Sequence, residues 1–413
     1  MTLKEKAFKW LDGSTAGIVE LESLLSSIPA IAPESGGQGE MKKAETLVGW
    51  LGSKGIHDIE RFDAPDPRVP GGKRPNIVAT IPGSLPSGED SGRVWIMSHL
   101  DVVPEGDRSM WKTDPFKVVH KDGRVYGRGV EDNQQGLVGS IFAALAILGS
   151  GGLPAATVKL LFVADEEVGS AYGIRHILKV QGLFRKNDII IIPDGGNESG
   201  DEIIVAEKNL CWLKVMTKGR QCHGSTPDEG ANAFLAACDL ALRIHALEKT
   251  VFAARDPLFQ PDRTTLSPTR KEANVPNVNT IPGDDVFYLD MRILPCYPID
   301  RVLAEIAATM REVEAEHGVT MSYEVVQRNE SKATSADAPV VARLARAVKE
   351  VYDAEARAIG VGGGTVGAYL RNAGYDCVVW ARLEETAHQP NENAKIENII
   401  GDAKVFASLM LEV

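Results

Sequence analysis

At 413 residues the chain is too long for one compact core, and two domains are expected. A composition of 44% hydrophobic and 25% charged residues is that of an ordinary globular protein and excludes a disordered or fibrous chain. The net charge of −12 excludes nucleic acid as a partner and disfavours an anionic membrane surface, since both need clustered Lys and Arg.

In chain order, the segment Met1–Ser14 has no apolar stretch of the kind a secretion signal carries. No apolar run approaches the roughly 18 residues of a membrane span, so a cytoplasmic protein is expected. From Val94 onward, short apolar runs alternate with helical stretches. Arg93–Met97 reads as a buried strand ending at Ser98-His99, and Leu137–Leu148 as an apolar helix. Val158–Val163 is a strand running into Asp165-Glu166-Glu167. Gly173–Val180 reads as helical, and Asp188–Ile192 as a strand ending at Pro193-Asp194. Continuous apolar strands separated by helices indicate an α/β sheet covered on both faces.

The pattern then changes to α+β. Leu213–Thr217 is a short strand, Gly219–Gly230 a loop and Ala231–Leu247 a long helix. Val286–Ile293 alternates as a half-exposed strand, and Val302–Glu316 is an amphipathic helix. Helix Pro339–Tyr352, strand Cys377–Trp380 and helix Ile396–Leu411 return to α/β character. The expected organisation is one catalytic domain in two pieces, 1–206 and 329–413, with a smaller domain, 207–328, inserted between them. The five cysteines (Cys211, Cys222, Cys238, Cys296 and Cys377) form no C-x-x-C pair and are odd in number. Neither a disulfide framework nor a cysteine–zinc site is expected, and a reducing compartment fits.

Carboxylates and histidines fall where the strands end, which in open α/β sheets is where ligands bind. His99 and Asp101 follow the first strand, Glu166 and Glu167 the second, Asp194 the third, and His388 the Cys377–Trp380 strand. Asp132 sits in the Gly-rich turn Tyr126–Asp132 ahead of the apolar helix. Any one of these would read as a surface or capping residue. Together they are a set of the nitrogen and oxygen donors that hard and borderline cations prefer. Two adjacent cations can lower the pKa of a shared water and polarise a carbonyl. Glu166 and Glu167 are neighbours whose side chains diverge, so one can ligate while the other moves protons.

The motifs Ser98-His99-Leu100-Asp101-Val102-Val103-Pro104, Tyr126–Asn133, Asp165–Gly169 and Ala387–Glu392 occur in the order of a known family. The chain resembles the co-catalytic metallopeptidases that include acetylornithine deacetylase, succinyl-diaminopimelate desuccinylase, aminoacylase and carboxypeptidase G. The resemblance implies an aminopeptidase-like mixed sheet and an inserted lid and dimerisation domain. It implies that two divalent ions, zinc with cobalt or manganese as alternatives, sit on His99 and Asp194 and on Glu167 and His388, with Asp132 bridging. Asp101 would accept a hydrogen bond from the far nitrogen of His99, and Glu166 would be the acid/base acting on a water that bridges the metals. His223, in Gly219–Pro227, matches a lid histidine that stabilises developing charge, often in the partner subunit of a homodimer. Asn279, Arg292 and the backbone at Gly364 match positions that grip a substrate carboxylate. On the residues alone, His223 reads as an exposed loop histidine and Arg292 as a strand-end salt-bridge partner.

One departure stands out. Many relatives carry Gly-Gly-Thr-Ser-Asp-x-Arg where this chain has Gly363–Tyr369, so Tyr369 replaces an arginine that can bind an acidic substrate end. The expected activity is cleavage of an amide in a small N-acyl amino acid, with a di- or tripeptidase or carboxypeptidase as the alternative. A more distant alternative is a nucleotide-binding oxidoreductase, since Gly362–Gly367 formally matches G-x-G-x-x-G.

Overall fold

The computed structural model describes residues 1–86, 88 and 92–412. The chain folds as two compact units. One comprises Met1–Val205, Thr334–Ile359 and Thr365–Val413, the other Ala206–Ala333 and Gly360–Gly364. The short segment Gly360–Gly364 was expected with the larger unit. It clusters with the smaller one because Gly360 N–H donates to Leu258 O (2.6 Å) and Lys208 N–H to Val361 O (3.0 Å).

The larger unit is built on an eight-stranded mixed sheet, and its central strands are the apolar runs seen in the sequence. Val94–His99 lies between Val158–Val163 and Ile189–Asn197 and is parallel to both; Cys377–Arg382 is parallel to Ile189–Asn197 on its far side. Four parallel strands therefore end on one side of the sheet. Ile77–Ile81 and Ile59–Arg61 extend one edge in antiparallel fashion. The helix Gln134–Gly149 is buried along nearly its whole length. It packs against Val94–His99 and against helices Leu3–Asp12 and Ile396–Leu411, which explains why it is apolar all round. Several expected elements change length, among them a helix and a strand of the larger unit. The helix at Gly173–Val180 shrinks to Ile174–Ile177. The strand expected to stop at Ile192 continues to Asn197, because Ala381 and Arg382 pair with Gly196 and Asn197 after a register shift.

In the smaller unit, Thr265–Lys271, Asp284–Ile293, Asn209–Lys218 and Thr320–Asn329 form an antiparallel sheet in that order. Alternation along Asp284–Ile293 sends Phe287, Leu289, Met291 and Ile293 into a core with Leu240, Ile244, Val302 and Ile306. The last four come from helices Ala233–Thr250 and Ile299–His317.

A buried ion cluster anchors the larger unit. Arg74 is fully buried and pairs with the equally buried Glu40, with Asp66 at 3.5 Å and Asp165 at 3.5 Å. Burial, opposed by the Arg74 hydrogen bond, raises Glu40 to about 7. Arg74→Met should cost about 3–5 kcal/mol at neutral pH by leaving buried carboxylates unpaired. The cost should shrink at acid pH, below the ordinary glutamate range, where Glu40 is protonated folded or unfolded and needs no cation. Urea denaturation at two pH values measures both effects.

Candidate metal centre

Parallel pairing brings the functional side chains together. His99 ends its strand, Asp194 lies near the end of the neighbouring strand, and Glu166 and Glu167 follow Val158–Val163. Asp132 reaches in from the turn before helix Gln134–Gly149, and His388 from the loop after Cys377–Arg382. The Asp132–Asn133 peptide is cis. His388 adopts φ of 61° and Asp165 of 67°, left-handed conformations that cost free energy in residues other than glycine.

His99 Nε2 lies 2.8 Å from Asp132 Oδ1 and 3.5 Å from Asp194 Oδ1. His388 Nε2 lies 3.0 Å from Asp132 Oδ2 and 3.0 Å from Glu167 Oε2. Asp132 thus offers one oxygen to each imidazole, the geometry of a bridge. Two sets of potential ligand atoms, from His99, Asp132 and Glu167 and from His99, Glu166 and Asp194, each fall within 4.8 Å of one another.

The electrostatics fit paired cations. Burial pushes Glu166 well above its usual range, and the Asp194 charge adds to the shift. Burial also raises Asp194 and Glu167, with the Asp132 charge adding to both. For His99, burial alone would lower the imidazole, but Asp194, Asp101 and Asp132 outweigh it and hold it well above its usual value. Hydrogen bonds to Asp132 and Glu167 push His388 up to about 10. Without cations, protons on the two imidazoles supply the counter-charge for a crowded set of carboxylates. Oxygen and imidazole donors of this kind suit a di-metal cofactor of divalent ions. A third group, Asp239, Glu316 and His317 in the smaller unit, is a contrast. Arg243 already binds Asp239 (2.9 Å) and Glu316 (2.5 Å) there.

Asp101 has a part beyond the one expected. His99 Nδ1 is 3.0 Å from the Asp101 backbone carbonyl and 3.5 Å from its carboxylate. That carboxylate accepts the N–H groups of Glu166 (3.1 Å) and Glu167 (3.0 Å), fixing the backbone that carries both. Three further residues escaped the sequence reading. Asn133 donates to Pro193 O (2.6 Å) and Asp194 Oδ1 (2.9 Å) and accepts from His99 N–H (3.3 Å), tying two strand ends to the Asp132 turn. Glu392, fully buried and raised to about 7 by that burial, accepts N–H bonds from Gly129, Glu131 and Asp132 and a bond from Arg128. Glu131 reciprocates, accepting the N–H groups of Glu384 (2.6 Å) and Thr386 (2.5 Å) from the loop that leads to His388.

The remaining candidates lie in the smaller unit. His223 pairs across a short ribbon with Thr280, next to Asn279, and Gly224 N–H donates to Asn279 O (2.7 Å). Both side chains are exposed, and His223 Nδ1 contacts Ser225 Oγ at 2.7 Å. The Arg292 guanidinium is engaged by Asp290 (2.7 and 3.0 Å) and by Gly362 O (2.7 Å), two residues from Gly364. Asp290 therefore occupies the fork expected for substrate. The Gly362–Gly367 run leads into a helix of only six residues, Gly367–Asn372, too short for the dinucleotide-binding turn.

A model of peptidase family M20/M25/M40 matches residues 95–412, most of the chain. The chain belongs to this family. An uncharacterized metallohydrolase of Methanocaldococcus jannaschii is 38% identical to this M20 chain over 412 residues, 95% of this chain and 98% of its own. An acetylornithine deacetylase of Myxococcus xanthus is 29% identical, over 82% of this chain and 83% of its own. Among solved structures, the aminopeptidase PepT from Bacillus cereus aligns with a TM-score of 0.75 at 20% identity, covering 96% of this chain and 98% of that one. The shared fold is a mixed α/β domain with an additional smaller domain. With its two ligand clusters, this M20 chain is a two-metal amidohydrolase or peptidase.

Two outcomes test the arrangement. Glu392→Gln should weaken metal binding by roughly 10- to 100-fold, the usual cost of losing an orienting partner, and Glu131→Gln should add less than its separate effect, because both hold one junction. Chelator competition reads both. Metal binding should also release protons and strengthen as pH rises, since imidazoles held protonated must become neutral to ligate. Calorimetry in buffers of different ionisation enthalpy measures the release.

Proposed function

We propose that the chain hydrolyses the amide bond of a small N-acyl amino acid or short peptide. In this reading His99 and Asp194 hold one cation, Glu167 and His388 the other, and Asp132 is shared; zinc suits these donors, with cobalt or manganese as substitutes. The observation that carries it is the consecutive pair Glu166 and Glu167, both pinned by Asp101, with Glu167 on His388 and Glu166 beside Asp194. Bound cations would supply Lewis acidity, lowering the pKa of water and polarising the substrate carbonyl.

The protein's own groups do the rest. Glu166 takes a proton from the attacking water and returns it to the departing amine nitrogen as the C–N bond breaks. Burial supports that role, because a carboxyl raised above its usual range binds a proton well enough to carry it. The names of sequence relatives (acetylornithine deacetylase, succinyl-diaminopimelate desuccinylase) and of the structural neighbour PepT, an aminopeptidase, all describe cleavage of an amide.

The smaller unit is read as the substrate lid. The ring nitrogen of His223 not engaged by Ser225 can donate to developing negative charge, and Asn279 lies beside it; for Arg292 to join them with Gly364, a substrate carboxylate would have to displace Asp290 from its guanidinium. A homodimer through this unit is supported by the exposed Val325 and Val326 on strand Thr320–Asn329 and by exposed Leu235 and Leu242 on helix Ala233–Thr250. A carboxylate-bearing small substrate fits these groups. No helix among the described residues is long and apolar enough to cross a membrane.

Chelation should abolish hydrolysis of acyl-amino acids and dipeptides, and added zinc, cobalt or manganese should restore it. Glu166→Gln should keep the metal and lose roughly 10²- to 10⁴-fold in kcat, the scale of general acid–base catalysis. Full turnover in metal-free protein, or an unchanged kcat in the variant, would overturn the assignment.

A further inference from the structure

The turn that carries Glu166 also carries a cation that nothing in the mechanism above uses. Gly169 N–H closes the turn on Glu166 O (3.2 Å), Ser170 N–H donates to Asp165 O (2.6 Å), and Arg175 N–H donates to Ser170 O (3.1 Å). The Arg175 backbone is therefore two hydrogen bonds from the residue that precedes the acid/base. Its side chain is exposed and has no carboxylate within ion-pairing distance among the described residues. Its contact is aromatic: the guanidinium carbon lies 5.8 Å from the centre of the Tyr369 ring.

Tyr369 is placed by the same turn, its hydroxyl donating to Gly169 O at 3.4 Å. Besides burial, the charges of Arg175, Glu166 and Asp165 act on that hydroxyl. Arg175 rests on an aromatic face, which orients a guanidinium while leaving its N–H edges available.

We infer that Arg175, seated on Tyr369, is the specificity-determining residue that binds a substrate carboxylate lying away from the scissile amide. The inference rests on the hydrolase reading and deepens it by naming the group that selects an anionic substrate. A planar guanidinium suits this task because it can donate two parallel hydrogen bonds to one carboxylate.

The test uses the metal-loaded protein and matched substrates. One series holds the amino acid fixed and compares a succinyl acyl group with its neutral succinamoyl counterpart. The other holds the acyl group fixed and compares the free amino acid with its carboxamide. The wild type should favour the charged member in at least one series. Arg175→Gln should lower kcat/KM for that member roughly 10- to 100-fold, the worth of a charge-assisted hydrogen bond, mainly through KM. The neutral member should change by less than about twofold, the scale of an exposed substitution.

Arg175→Lys should recover part of the loss, and Tyr369→Leu, which removes the seat and keeps the cation, should give an intermediate loss. Inhibition by succinate against succinamate supplies a binding readout, and the advantage of succinate should vanish in Arg175→Gln. Hydrolysis with the charge preference intact in that variant, an equal loss on charged and neutral substrates, or no preference in the wild type overturns the role of Arg175 while leaving the hydrolase reading standing. No hydrolysis of any substrate by the metal-loaded wild type removes both.

Discussion

The carboxylate of Glu392 is the contact on which the metal centre depends. It is fully buried, and one oxygen collects Arg128 and the Gly129 N–H while the other collects the N–H groups of Glu131 and Asp132. Those amides form the turn that aims Asp132 between two imidazoles. Glu131 in the same turn binds the loop that leads to His388. Two segments distant in sequence are clasped by one carboxylate from each side. A bridging residue must hold two ligand positions at a fixed separation, and backbone amides on a buried anion are rigid enough to do so.

A second constraint is charge. Asp101, Asp132, Glu166, Glu167 and Asp194 share a small volume with two histidines, and burial raises three of the carboxyls. Such a cluster is unfavourable unless counter-charge is bound, so the folded chain favours taking up cations. Behind it, Glu40, Arg74 and Asp165 repeat the arrangement with a built-in cation. The two layers illustrate the same solution to buried anions, one permanent and one exchangeable.

Much of this was legible in the sequence, for identifiable reasons. Apolar runs ending in His99, Glu166-Glu167 and near Asp194 marked strand ends, and parallel strands must deliver their ends to one side. Glu392 and Glu131 stand inside the motifs, but their roles were illegible, because an acid that accepts backbone N–H groups looks in sequence like any surface acid. The role of Asp101 was half legible: its place beside His99 was visible, but its hold on the Glu166 and Glu167 amides is set by backbone path. Helix Leu3–Asp12 was missed although Thr2 and Glu5 form a capping box, a pattern the sequence displays. Strand Thr320–Asn329 was missed although polar and apolar residues alternate over Thr320–Val325, with Met321 and Tyr323 packed against the core and most of the other residues exposed. Arg292 shows the limit of reading types of residue. A strand-end arginine two residues from Asp290 was visible, but only the fold reveals that the two side chains meet.

The two histidines of the centre differ sharply in surroundings. The side chain of His99 is 1% exposed, and that of His388 is 54% exposed in a loop with a left-handed backbone. In the assignment proposed above, the two ion positions would differ in the imidazole each depends on. One ring is fixed at the end of a central strand, while the other rides on a surface loop that can shift without disturbing the sheet. Partial depletion would then empty the His388 position first and leave a singly occupied protein.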